Sequence, residues 1–89
     1  MKEQSVQSKI LSYLKSRKAY AVKVIKASKA GVADIICCLD GKFIAIEVKM
    51  PGEKPNPLQF ANIEMVLAAG GISFCATSLE DVLEYLDRI

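Results

Sequence analysis

Histidine is absent from the sequence. Every mechanism that needs an imidazole base or ligand is excluded with it: Ser-His-Asp hydrolysis, histidine-zinc sites and histidine-metal nucleases. No apolar run approaches the ~20 residues needed to span a bilayer, and the polar start MKEQSVQSK lacks the apolar stretch of a secretory signal. No membrane partner is expected. Cysteine is scarce and odd in number, and Cys37, Cys38 and Cys75 have no metal-type spacing. All three lie in apolar stretches, which reads as reduced core thiols in a cytoplasmic protein. Acids are nearly missing from residues 1–30, where Glu3 stands alone against eight Lys and Arg, a local balance of +7 (8 − 1). Residues 78–89 reverse the sign, with four acids against Arg88, or −3 (1 − 4). A basic half is the footprint expected for a polyanion such as nucleic acid, and a solvated lysine face accounts for it equally.

What is present is a globular composition, 52% hydrophobic and 25% charged over 89 residues, which predicts one domain spanning 1–89. A chain this short buries only about 60–65% of its unfolded surface, so a homodimer is expected. Val6, Ile10, Tyr13 and Leu14 recur at helical spacing and predict a helix over 3–17. Residues 19–25 read as a strand with Tyr20, Val22 and Val24 on one face. A small basic loop over 26–31 leads to VADIICCL, then Asp40-Gly41, then KFIAIEVK. Two β-branched runs joined by Asp-Gly are the strongest local hairpin signal. The loop 50–57 holds all three prolines. Asn56, Pro57 and Gln59 fit the N-cap, N1 and N3 of a second helix with Leu58, Ile63, Val66 and Leu67 on its apolar side, ended by Gly70-Gly71. ISFCAT is a fourth strand, and Ser78 with Asp81 caps a last helix. The order is α-β-β-β-α-β-α.

The hairpin fixes where its charges go. With Asp40-Gly41 as a two-residue type I′ turn, Leu39 faces Lys42 and Asp34 faces Glu47. Facing residues project to one side of a sheet with Cβ atoms about 4.5–5.5 Å apart. Lys49, two residues beyond Glu47, joins them. Ile35, Cys37, Ile44, Ile46 and Val48 make the alternate face wholly apolar. Two opposed carboxylates in a partly buried sheet repel and lose hydration at a cost of several kcal/mol per charge. A hard divalent cation removes the difficulty by taking both as oxygen ligands. A loop-exit Asp34 and a merely neutralising Lys49 would leave the same pattern. The chemistry that fits best is phosphodiester hydrolysis: Mg²⁺ binds through one or two carboxylates and accepts phosphate oxygens, and Lys49 would stand near the scissile phosphate.

Gly31-Val-Ala-Asp34, with Glu47-Val-Lys49 thirteen positions on and Gln59 opening the next helix, resembles the PD-(D/E)xK nuclease superfamily. More narrowly, IAIEVKMPGEKPNPLQ and AAGGISFCATSLEDVLEYL are similar to the virus-type replication-repair nuclease (VRR-NUC) domain. The resemblance covers nearly the whole chain. It implies an α/β restriction-endonuclease-like core, a mixed four-stranded sheet flanked by helices. It also implies a Mg²⁺- or Mn²⁺-dependent endodeoxyribonuclease in which Asp34, Glu47 and the Val48 carbonyl hold the metal and Lys49 is catalytic. Gln59 matches the family's glutamine near the active site, and Glu3 matches an acid on the first helix that approaches the metal. Each also has a plain helical role, Gln59 in a capping box and Glu3 as a first-turn acid. Ala33 stands where the family usually has proline. Stand-alone members resemble Holliday-junction resolvases, so the resemblance implies a homodimer cutting four-way junctions, cytoplasmic and bacterial or phage-encoded. With no added DNA-binding domain, contacts to branched DNA would fall to Lys23, Lys26, Lys29 and Lys54. A nicking or flap nuclease, a less selective DNase and a non-catalytic nucleic-acid-binding module remain open.

Overall fold

The computed structural model describes residues 2–89. Seven elements follow in the expected order: α1 (Glu3–Ser16), β1 (Tyr20–Lys23), β2 (Ile35–Leu39), β3 (Lys42–Val48), α2 (Pro57–Ala68), β4 (Ile72–Ala76) and α3 (Leu79–Leu86). The strands lie side by side as β1-β2-β3-β4. The first three pair antiparallel, and β4 returns parallel to β3 after the α2 crossover. Asp40 (φ 52°) and Gly41 (φ 80°) are both left-handed, as a type I′ turn demands. That turn sets the register from Leu39 opposite Lys42 to Ile35 opposite Ile46. No helix of the described residues is long and apolar enough to cross a membrane.

One face of the sheet makes the core. Ile35, Cys37, Ile44, Ile46, Val48, Phe74 and Ala76 pack against Val6, Ile10 and Leu14 of α1 and Val82 of α3. Full burial of an Ile, Leu or Val stabilises by about 1.5–3 kcal/mol. The fold is therefore held mainly from this face, while the other is largely apolar and carries Glu47 toward one end.

That other face meets the sequence expectations only in part. On β1, Tyr20 (73% exposed) and Val22 (39%) share a face as expected, and it is the open one, with Ala21 buried on the other. They pair with Cys38 and Ile36, on the side of the sheet away from α1. β1 itself ends at Lys23 rather than Ile25. Cys38, on the same open side, is exposed rather than a core thiol. Helix α2 caps as expected, with the Asn56–Gln59 capping box, Pro57 at N1 and a left-handed Gly70 (φ 94°) beyond its end. Its expected apolar side is not covered, however: Leu58 and Leu67 are more than half exposed, and no residue of α2 is buried. α2 packs over β3 and β4 only, so the β1–β2 half of this face has no helix above it.

Candidate active site

The core hairpin delivers three charged side chains to one end of the open face. Glu47 is 2% exposed. Its Oε2 accepts a hydrogen bond from Gln59 Nε2 at 3.1 Å. Its Oε1 is buried without a hydrogen-bond partner. Asp34 stands at the bend just before β2, and its Oδ2 accepts the Val48 main-chain N–H at 2.8 Å. The strand ladder therefore stops at Ile35–Ile46, one pair short of the expected Asp34–Glu47 pair. The reason is local. In that register Val48 faces Ala33, and the Asp34 carboxylate takes the N–H that a main-chain carbonyl would otherwise accept. The opposite flank of Asp34 is held too, because its own carbonyl accepts the Val24 N–H at 2.8 Å.

These neighbours set the charge state of Glu47. Burial pushes its carboxyl up to about 8 from the usual 4.5, and the charge of the adjacent Asp34 carboxylate adds to the rise. The Lys49 ammonium pulls it back, and the Glu3 carboxylate adds to the rise. Asp34 and Lys49 act on Glu47 from its own end of the hairpin, and Glu3 acts on it by charge from α1. A buried carboxylate oxygen without a donor is costly, of order 1–3 kcal/mol or more when charged. A hard cation supplies what Oε1 lacks, and an all-oxygen donor set is the kind that Mg²⁺ or Mn²⁺ accepts. Among the described residues no three acid or thiol side chains gather closely enough to hold a metal ion alone. Two carboxylates completed by a carbonyl, water and phosphate oxygens fit the habit of Mg²⁺.

Gln59 has two duties. Its Oε1 accepts the Asn56 N–H at 2.9 Å, closing the helix cap, while its Nε2 reaches Glu47. Gln59→Glu keeps the acceptor for the cap and turns a donor to Glu47 into a third acid. We expect metal-free Gln59→Glu to lose more stability above pH 8 than Gln59→Ala, by thermal denaturation in EDTA. A capping role alone would make the glutamate variant the milder of the two.

The lysines are less tightly placed. Lys23, Lys26, Lys29 and Lys54 are all exposed, Lys23 at the end of β1 and Lys54 in the loop before α2. Lys29 turns toward α2, its Nζ 3.7 Å from Met65 Sδ. One further neighbour of Glu47 escaped the sequence reading. Cys75 sits directly opposite Glu47 on β4, and burial together with the Glu47 charge raises its thiol pKa. Only the parallel register reveals it. On α1, Gln7 lies one turn after Glu3 and is buried with Oε1 unpartnered.

No family model matches the chain. The "Putative nuclease p44" of Acyrthosiphon pisum secondary endosymbiont phage 1 is 32% identical over 71 residues, 79% of this chain and 76% of that protein. A solved VRR_NUC domain superposes with a TM-score of 0.84 at 23% identity, covering 96% of this chain and 94% of its own. A second, a VRR_NUC domain protein, gives 0.80 at 23% identity over 98% and 86%. Hjc of Archaeoglobus fulgidus, a Holliday junction resolvase, gives 0.64 at 20% identity over 84% of this chain and 67% of its own. Sequence kinship and fold agree: the chain belongs to the same family as that phage protein, named a putative nuclease, and has the fold of VRR_NUC domains.

Proposed function

We propose that residues 1–89 form one nuclease domain that hydrolyses DNA phosphodiesters with a divalent cation, as a homodimer selective for branched DNA. The observation that carries this reading is the buried, half-unpartnered Glu47 carboxylate beside Asp34 and Lys49. Asp34, Glu47 and the Val48 carbonyl would hold Mg²⁺ or Mn²⁺, with Glu3 contributing from α1. The cation supplies charge neutralisation, polarisation of the phosphoryl oxygen and a more acidic bound water. The chain's own groups do the positioning. Gln59 orients Glu47 by its 3.1 Å hydrogen bond, and the Val48 N–H orients Asp34. Lys49, a compact point charge, stands where it can balance negative charge on a phosphate approaching the two acids. The exposed Lys23, Lys26, Lys29 and Lys54 supply sequence-independent backbone attraction, which weakens with salt. The branched-DNA reading takes its support from the likeness to a protein named as a Holliday junction resolvase.

The experiment is cleavage of a labelled four-way junction beside a linear duplex of the same sequence, in Mg²⁺, Mn²⁺ or EDTA. Expected are paired, symmetric cuts in the junction only, abolished by EDTA. Equal cutting of both substrates would keep the active site and remove the junction claim. Binding without any cutting, with metal present and fold intact, would replace the enzyme by a nucleic-acid-binding module.

A further inference from the structure

We infer that Ile25 is an apolar wedge that enters the base stack of DNA beside the candidate active site, and so makes the domain prefer a branch to an unbroken duplex. This deepens the branched-DNA reading above and rests on it. Ile25 is 89% exposed, more than any other large apolar residue among those described. Scattered apolar side chains on a surface are ordinary. The setting of this one is not. Residues 25–30 are all exposed, and beyond Ile25 they are Lys26, Ala27, Ser28, Lys29 and Ala30. With Lys23 just before, the segment carries three cations and no acid. A loose loop could fold such a residue away, but this one is held at both feet. The Val24 N–H donates to the Asp34 carbonyl at 2.8 Å, one residue before Ile25. At the other foot the Ala30 carbonyl accepts Asn62 Nδ2 at 3.2 Å. Gly31 (φ 83°) then runs so close to α2 that a Cβ there would lie 2.7 Å from the Leu58 main chain. A side chain fixed in place before binding has less freedom to lose on binding.

The foot at Asp34 also places the wedge. Val24 bonds to Asp34 at the sheet end where Glu47 and Lys49 lie. Neighbouring strands are about 4.8 Å apart, so the line of β1 passes about 10 Å from that of β3. At roughly 3.4 Å per step along a strand, that is a few bases from a phosphate held between the two acids. The lysines attract phosphates and read neither sequence nor base stacking. A branched alkyl group gains nothing from phosphates and something from base faces and sugars. To reach a base face it must part a stack. Parting is costly in an intact duplex and cheapest where pairing or stacking is already broken, as at a branch point. One fixed apolar side chain among cations thus turns general backbone attraction into a preference for structure. The sign of the charge and the nearness of Asp34 both point to DNA as the occupant.

The test uses 2-aminopurine, a base whose fluorescence rises on unstacking, placed beside the branch of a four-way junction and at the same position in a linear duplex. Both are titrated at one salt concentration with full-length chain carrying Glu47→Gln, so that no strand is cut. With Ile25 present, the junction is expected to brighten and to bind more tightly than the duplex. Adding Ile25→Ser is expected to weaken junction binding about tenfold, the scale of one apolar side chain's burial. Duplex binding should stay the same and the brightening should vanish. Ile25→Phe keeps an apolar wedge and is expected to keep both effects. Lys26→Ala with Lys29→Ala should instead weaken both DNAs alike and flatten the salt dependence. Circular dichroism checks that these exposed changes leave the fold intact. An Ile25→Ser chain that binds both DNAs as before, weakens equally on both, or still brightens the junction overturns the inference. A changed sedimenting mass overturns it too, because Ile25 would then cover a protein contact. Brightening by a chain with Glu47 intact that cuts nothing in Mg²⁺ would sink the nuclease reading and leave this one. Junction-selective cleavage undiminished by Ile25→Ser would do the reverse.

Discussion

Glu47→Gln is expected to abolish cleavage and, in the absence of metal, to make the protein more stable. Glutamine is isosteric and keeps an oxygen for Gln59 Nε2, so the helix cap and the strand are undisturbed. What it removes is a buried charge with one unpartnered oxygen beside a second carboxylate. The folded-state pKa of Glu47 is about 8 against an ordinary 4.5, so its protonated form is the comfortable one. A raised pKa means that the favourable contribution is complete below about pH 4.5 and is lost as pH climbs through 8. Metal-free wild-type protein should therefore weaken across that window while Glu47→Gln does not. Each pKa unit is worth about 1.36 kcal/mol, so the gap at pH 9 is a few kcal/mol at most. At about 4–8 °C per kcal/mol for a chain of this size, Tm should differ by on the order of 10 °C. Saturating Mn²⁺ at 100 times its Kd should return about 2.7 kcal/mol to the wild type and nothing to the variant. Activity should fall at least about 10³-fold, within the range for removing a group that stabilises transition-state charge. Thermal melts in EDTA and Mn²⁺ from pH 5 to 9 read all of this. A variant less stable than wild type at pH 9 in EDTA would show that Glu47 is a satisfied structural acid.

Such a site is where local sequence logic breaks, which is why part of it was legible. Asp40-Gly41 fixes a turn, the turn fixes a register, and the register places Asp34, Glu47 and Lys49 together. All of that is short-range. The capping box of α2 was readable for the same reason, and so were seven elements in their order. Contacts between distant segments were not. That Cys75 faces Glu47 depends on the parallel β3–β4 register, which no turn encodes. Tyr20 and Val22 share a face as expected, but an apolar face normally marks the core and this one is open. The same rule misplaced the apolar side of α2. Hydrophobic periodicity says which surface avoids water, and it is silent on whether the chain's own core or another molecule covers it.

Asp34 separates structure from chemistry, and two substitutions should pull them apart. Its Oδ2 accepts the N–H of Val48, a residue with no exposed surface. Asp34→Ala leaves that N–H without an acceptor, which costs about 1–3 kcal/mol. The loss falls where the β2–β3 ladder ends, so fraying there would release β3 just where Glu47 and Lys49 must share a face. Asp34→Asn retains a carbonyl oxygen for Val48 and removes only the charge. Its metal-free stability should equal or exceed the wild type at pH 8, because Glu47 loses the repulsion of its neighbour. Both variants should lose cleavage by about 10²–10⁴-fold, since a neutral amide is a poor ligand for a hard cation. Guanidinium unfolding in EDTA gives the first comparison and junction cleavage in Mg²⁺ the second. An asparagine variant as unstable as the alanine one would remove the hydrogen bond from the account. One that cleaves normally would show that Asp34 serves the strand and Glu47 alone serves the metal.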